Sequence, residues 1–169
     1  MKTYSLLDAT KIAKVGDDWL TPLALVNALG PFDLDPCASV GQPWPTARHM
    51  NTVRDGDGLQ LTWEGYVFCN PPYGRGIRNW VERACEHRNG ILLTAAAIGV
   101  GWYERVWRSA DAIFFTYERE RFYHPGSGTL CENRWFGLSY AAFGSRAVGG
   151  LTRLKLRGAL VTKWIDIDK

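Results

Sequence analysis

In "VFCNPPYGRG", residues 67 to 76, an apolar run stops on Asn70 and is followed by Pro71, Pro72, Tyr73, Gly74 and Gly76. Asn70 brings an amide oxygen that accepts and an amide nitrogen that donates, while Pro71 contributes a backbone carbonyl. The two prolines restrict the turn and remove two backbone donors. Such a stretch predicts a small rigid acceptor site beside a flat aromatic face, with Gly74 and Gly76 letting the backbone pass close to a ligand. An ordinary turn would also put Asn and Pro at a strand end, but it needs only one proline.

An acceptor pair next to an aromatic ring suits an exocyclic amine. The amine of adenine is a poor nucleophile because its lone pair is delocalised into the ring. Two acceptors holding its two hydrogens would draw the nitrogen toward tetrahedral geometry and aim the lone pair at an electrophile, with positioning supplying much of the remaining acceleration. Tyr73 could stack on the base, an interaction worth about 1–3 kcal/mol. A second chemical residue is Asp35 in "FDLDPCAS", a carboxylate leaving a short strand just before Pro36. A carboxylate there can serve a ligand's hydroxyl or amine, or can simply form a turn.

The elements that must position these residues follow from patterning. "YVFC", residues 66 to 69, reads as a buried strand that delivers Asn70 to its carboxyl end. Ile77, Trp80, Val81, Ala84 and Cys85 fall on one stripe of a helix that closes near Gly90. "ILLTAAAIG", "GWYERVWRSA" and "AIFFTY" read as strand, helix and strand, and "WFGLSYAAFG" as a further strand. In "LTPLALVNALG", Thr21 is expected to cap a helix, Pro22 to open it and Gly30 to close it in a left-handed exit. Residues 36 to 65 predict loop with at most one short element. The alternation argues for an α/β fold with a mostly parallel sheet, in which ligands bind beyond the carboxyl ends of the strands.

At 169 residues and 46% hydrophobic content the chain predicts one domain spanning 1–169. No apolar stretch reaches the roughly 20 residues a membrane span needs, and the first residues lack a signal-peptide pattern, so a cytoplasmic location is expected. Cys37, Cys69, Cys85 and Cys131 and the three histidines are scattered, which argues against a zinc site and a disulfide framework. The net charge is only +3, but no acidic residue falls between Asn133 and Ile165, where Arg134, Arg146, Arg153, Lys155, Arg157 and Lys163 cluster. In "TRLKLRG" alternation would put Arg153, Lys155 and Arg157 on one strand face. Such a basic region suits a polyanion, although a solvated face explains it equally.

Taken in order, "DWLTP", "FDLDPCAS", "DGDGL", "WEGYVFCNPPYG", "IRNWVERA" and "RERF" resemble the phage-type DNA N6-adenine methyltransferases, often called Dam-like, over most of residues 18 to 122. The resemblance implies a compact Rossmann-like fold binding S-adenosylmethionine, with shortened cofactor-side strands, and direct methyl transfer to a flipped adenine of double-stranded DNA without metal or covalent intermediate. It implies catalytic roles for Asn70, Pro71, Pro72 and Tyr73. It implies cofactor contacts from Trp19, Thr21, Pro22, Asp35, Pro36 and Asp57, with Asp55 competing for the last role. DNA contacts are expected from Arg153, Lys155 and Arg157. If the gene is a phage's, the place of action is the host cytoplasm.

The sequence departs from the wider methyltransferase pattern in two respects. A glycine-rich turn after the first strand is absent, and only 34 residues lie between Asp35 and Asn70. The tetrapeptide alone also occurs in methyltransferases of RNA or protein glutamine, and a noncatalytic DNA-binding module on the same fold is a further alternative.

Overall fold

A computed structural model describes residues 19–117, 121–124, 129, 137–162 and 164. Of the residues singled out above, Cys131, Arg134 and Lys163 lie outside these, as do the first residues and part of "RERF". The described elements run α1 (Leu23–Leu29), β1 (Leu34–Asp35), β2 (His49–Met50), β3 (Val67–Cys69), α2 (Ile77–His87), β4 (Gly90–Ala95), α3 (Gly101–Ser109), β5 (Ala112–Thr116), β6 (Leu138–Phe143), α4 (Ser145–Thr152) and β7 (Gly158–Val161).

All seven strands form one sheet in the order β2-β1-β3-β4-β6-β5-β7. The β2–β1, β1–β3 and β3–β4 pairings are parallel, whereas β4–β6, β6–β5 and β5–β7 are antiparallel. The sheet is therefore mixed rather than mostly parallel. The antiparallel half arises because β6 returns between β4 and β5, and β7 then adds outside β5. Among the described residues the architecture, a single sheet with four helices, is compatible with a methyltransferase-like fold.

Both faces of the sheet are covered, which explains the continuous apolar runs in its central strands. Along β3, β4 and β5, Phe68, Ile91, Leu93, Ala112 and Phe114 pack toward α1 and α4. The intervening Val67, Cys69, Leu92 and Ile113 pack toward α2 and α3. This period of two sets the direction of the site, because Asn70 follows Phe68 by two residues and so leaves β3 toward the α1 side.

Several local expectations are corrected. Thr21 does not cap α1: the N-cap position is Pro22, and the helix start has no side-chain cap. Pro22 offers its carbonyl to the amides of Leu25 and Val26 at 2.9 and 3.2 Å. Gly30 leaves α1 in an extended conformation, φ −81° and ψ −158°, not a left-handed one. On α2 the left-handed exit is taken by Arg88, φ 54°, and Gly90 already belongs to β4. Residues 153–157 are not a strand: α4 runs to Thr152, and the chain turns before β7 begins at Gly158. Arg153, Lys155 and Arg157 are exposed there, while Leu154 and Leu156 pack on the core. The alternation in "TRLKLRG" thus reflects burial in an irregular segment.

The 36–65 stretch contributes one two-residue strand and otherwise wraps around the end of β1. Asn51, 8% exposed, donates from Nδ2 to the carbonyls of Pro36 and Gly56 at 3.4 and 3.2 Å. Gly58 passes so close to Pro36 that a β-carbon would stand 1.8 Å from its carbonyl oxygen. The "DGDGL" loop therefore clamps the Asp35–Pro36 exit.

Candidate functional site

Since β1 and β3 are paired neighbours, their carboxyl ends bring Asp35 and Asn70 to the same rim of the sheet. Between them lies a small pocket, partly open to solvent, whose lining includes Trp19, Thr21, Asp35, Asn70 and Pro72. Five expected site residues, separated by up to 53 positions, thus share one cavity (19 to 72). Thr46, Ser39, Gln42 and Cys37, from the proline-rich loop after β1, also line it.

The Asn70 side chain is fixed by its donor end. Its Nδ2 points to Thr21 Oγ1 at 3.1 Å and to the Trp19 carbonyl at 3.4 Å. A carbonyl can only accept, so the nitrogen must occupy that side of the amide. The opposite atom, Oδ1, is buried and has no hydrogen-bond partner among the described residues. An acceptor left without a donor costs about 1–3 kcal/mol, and such an atom in a native structure calls for an explanation. Thr21 holds this amide in place of the helix-capping role its position suggests.

Around Trp19 and Thr21 a second set of contacts keeps the segment in place. Leu20 and Tyr123 exchange two backbone hydrogen bonds of 3.0 and 3.1 Å. The Trp44 indole donates to the Thr21 carbonyl at 2.9 Å, and its ring meets Tyr123 edge-on with centroids 5.4 Å apart. Trp19 packs on His124 at 5.0 Å. Tyr123 and His124 therefore brace the wall that holds Asn70.

Asp35 is 3% exposed and has both oxygens engaged. Oδ1 accepts from the Cys37 backbone amide at 3.1 Å and Oδ2 from the Thr46 hydroxyl at 2.5 Å. The carboxylate thus ties together the two ends of the 37–46 loop. Burial pushes its pKa up from 3.8 to about 6, although the Thr46 and Cys37 hydrogen bonds oppose the shift. The Cys37 thiol lies 3.8 Å from the Cys69 thiol, and burial together with Cys69 and Asp35 holds its pKa well above the ordinary value.

Other expected residues stand apart from the cavity. Pro36 is buried beneath the Asn51 clamp. Pro22 opens α1, and Pro71 is buried in the turn itself. Tyr73 is 5% exposed and packs among Val67, Ile77 and Trp80 on the α2 side of the sheet. Asp57 and Asp55 are exposed and serve their own loop: Asp57 accepts from the Leu59 amide at 3.0 Å, and Asp55 accepts from Thr52. The Thr52 amide and hydroxyl hold the Asp55 pKa below its usual value.

The basic segment occupies the far side of the sheet. Gly158, beside Arg157, pairs with Thr116 at the carboxyl end of β5. That puts it on the same rim as Asn70 but four strands away, roughly 19 Å at normal strand spacing. Arg146 is used elsewhere: its guanidinium lies 4.1 Å above the Tyr66 ring and donates to the Pro31 carbonyl. Exposed cations nearer the Asn-Pro-Pro-Tyr turn are Arg75 and Arg78, which charge counting along the tail did not single out. Ser39 and Gln42 were missed too, because polar residues in a Pro- and Gly-rich loop look solvated. Among the described residues no group of three or more His, Cys, Asp and Glu is placed to hold a metal ion, and no helix is long and apolar enough to cross a membrane.

A mixed α/β sheet with an oriented Asn-Pro-Pro-Tyr turn beside a buried acidic strand end is compatible with a protein of the methyltransferase class. The family model for DNA N-6-adenine-methyltransferase (Dam) matches residues 8–132, about three quarters of the chain. The chain belongs to this family of DNA adenine methyltransferases. No curated protein and no solved structure matches it.

Two outcomes follow from this geometry. Thr21→Val keeps the shape of the side chain but removes the acceptor that holds the Asn70 amide, so methyl transfer should slow about tenfold in kcat, with little change in KM for DNA. An unchanged kcat would show that Asn70 is held by other means. For Asp35 the folded-state pKa lies above the unfolded one, so the folded protein binds this proton more tightly. Its contribution to stability therefore falls as pH rises from about 4 to about 6 and is level above that. Thermal melts of wild type and Asp35→Asn should show their difference moving in the variant's favour from pH 4.5 to pH 7.5; a pH-independent difference would contradict the raised value.

Proposed function

We propose that this chain transfers a methyl group from S-adenosylmethionine to the exocyclic amine of an adenine extruded from double-stranded DNA. The observation that carries the reading is the Asn70 amide, whose nitrogen is held by Thr21 and Trp19 while its buried oxygen lacks a donor among the described residues. An adenine amine would supply that donor. Asn70 Oδ1 and the Pro71 carbonyl would accept the amine's two hydrogens and localise its lone pair, and neither needs to be charged to do so. Neither acceptor is a strong base, so the proton displaced from the methylated amine passes to water.

The cavity between Asp35 and Asn70 suits the cofactor by its donor set: a buried carboxylate, buried polar atoms without partners, and the Trp19 ring. When bound, the cofactor supplies an electrophilic methyl group. Trp19, Thr21 and Asp35 would hold it, with Pro22 and Pro36 fixing the segments that carry them. Asp57, exposed on the clamp loop, would reach the adenosine end from outside.

The base must leave the duplex to meet Asn70, at a cost of a few kcal/mol. For Tyr73 to stack on it, the ring must first leave the α2 side of the sheet. Arg75 and Arg78 would meet phosphates next to the flipped base, and Arg153, Lys155 and Arg157 would meet the backbone farther along the same rim.

Incubation with labelled S-adenosylmethionine and unmethylated duplex DNA should label the DNA. Asn70→Ala should reduce that transfer by at least about a hundredfold while calorimetry shows cofactor binding little changed; near-normal transfer would refute the acceptor role. Replacing Arg153, Lys155 and Arg157 together by Ala should weaken DNA binding and flatten the dependence of affinity on salt. An unaltered salt slope would show that this segment does not touch DNA.

A further inference from the structure

Strand β4 runs farther out than its neighbour at the rim that carries Asn70. Cys69, the last residue of β3, pairs with Leu92, and β4 continues through Leu93, Thr94 and Ala95. Three further residues carry its end about 10 Å beyond that pair. The loop that follows, Ala96 to Gly101, reads "AAIGVG" and contains no polar side chain. Ile98 is 60% exposed and Val100 47%, so this short loop holds two of the five exposed large apolar side chains among the described residues.

Both ends of the loop are held. The Ala96 amide donates to the Gly137 carbonyl at 2.9 Å, and the Val100 amide donates to the Ala97 carbonyl at 3.0 Å. Val100 is also the N-cap residue of α3, its carbonyl accepting from the Tyr103 amide at 2.8 Å. Ile98 and Gly99 are therefore the central pair of a closed turn, and a β-carbon added to Gly99 would meet nothing within 4 Å. Turns of this kind are normally formed by polar residues, glycine and proline. A lone exposed isoleucine on a flat surface calls for no explanation; one fixed at a projecting tip, one strand from Asn70, does.

The surroundings narrow the partner. Arg78, exposed on the first turn of α2, brings a guanidinium nitrogen to 3.9 Å from where a β-carbon of Gly101 would stand. No acidic residue lies between Glu86 and Glu104 in the sequence, and Glu104 is paired with Arg108 at 3.0 Å. An apolar tip of two side chains is far smaller than a stable protein–protein interface, which buries about 800 Å2 on each partner. It matches a nucleic-acid duplex, whose stacked interior is apolar and whose outer strands carry phosphates for the cation. A base drawn out of a duplex leaves a gap of about 7 Å, two base steps, between its neighbours. Apolar side chains can enter such a gap.

We propose that Ile98 is a wedge: the 96–101 loop enters the base stack, and Ile98 occupies the place that the extruded adenine vacates, with Arg78 on an adjoining phosphate. Ile98 is thus a positioning residue. It touches none of the reacting atoms but keeps the base from returning to the helix, and the β3–β4 pairing fixes its separation from Asn70. The assignment rests on the adenine-transfer reading given above.

Methyl transfer from labelled S-adenosylmethionine tests this on two substrates: a duplex oligonucleotide that wild type modifies, and the same duplex with cytosine replacing the thymine opposite the modified adenine. A mispaired base takes less energy to extrude. Ile98→Ala should slow transfer to the paired adenine about tenfold in kcat/KM and transfer to the mispaired one much less, so the mispaired-to-paired ratio rises severalfold over wild type. Ile98→Leu should keep the wild-type ratio. A general defect of folding lowers both rates alike, so an equal loss on the two duplexes overturns the wedge, as does an Ile98→Ala variant that modifies the paired duplex at the wild-type rate. Either result leaves the adenine reading standing. If wild type modifies no DNA, that reading falls and the wedge with it.

Discussion

The hydrogen bond from Asn70 Nδ2 to Thr21 Oγ1 decides what the site can be. A side-chain amide can present either end to a ligand, and only a fixed partner settles which. Thr21 and the Trp19 carbonyl take the nitrogen, so the oxygen faces the place where a substrate amine would sit. That arrangement depends on the 19–21 segment being held against the end of β3. The Leu20–Tyr123 bridge and the Trp44 indole hold it there. The wall around the Asn70 turn is thus built from segments far apart in sequence, 19–21, 44, 70–72 and 123, joined by polar contacts at one rim of the sheet.

The second constraint is the buried carboxylate of Asp35. Its position, one strand over from Asn70, follows from the parallel β1–β3 pairing, and its burial follows from the 36–65 stretch folding over it. Asn51 and Gly58 clamp the exit from β1 on one side, and Thr46 closes it on the other. A loop without regular structure is in this way made rigid enough to bear a binding site. Rigidity would matter to the proposed transfer, because catalysis by two neutral acceptors depends on placement rather than on charge.

Much of this was legible in the sequence. The apolar run at 66–69, the helical stripe from Ile77 and the runs at 91–95 and 112–116 are dominated by burial on a two-sided sheet, and periodicity reads burial directly. What failed was decided by partners distant in the chain. Local capping rules assign Thr21 to the helix that follows it, yet its hydroxyl serves Asn70, 49 residues on. Helix α4 escaped notice because "SRAVGGLT" contains Gly149 and Gly150, poor helix formers; Gly150 faces Leu29 of α1, against which an added β-carbon would make ordinary contact. Tyr73 looked like a stacking platform because its neighbours are polar or small, but the turn directs its ring to the α2 side. Ser39 and Gln42 carried no signal, since only burial distinguishes a polar loop residue that lines a pocket from one that faces water.

The central claim is that the Asn70 oxygen receives the amine of an adenine. Nucleoside mass spectrometry of duplex DNA incubated with the protein and methyl-deuterated S-adenosylmethionine tests it most directly, because it reports which atom of which base acquires the methyl group. The account predicts N6-methyladenine carrying the deuterated methyl. Deuterium on cytosine or on a ring nitrogen of adenine, or its recovery only in RNA or protein offered in the same mixture, would contradict it.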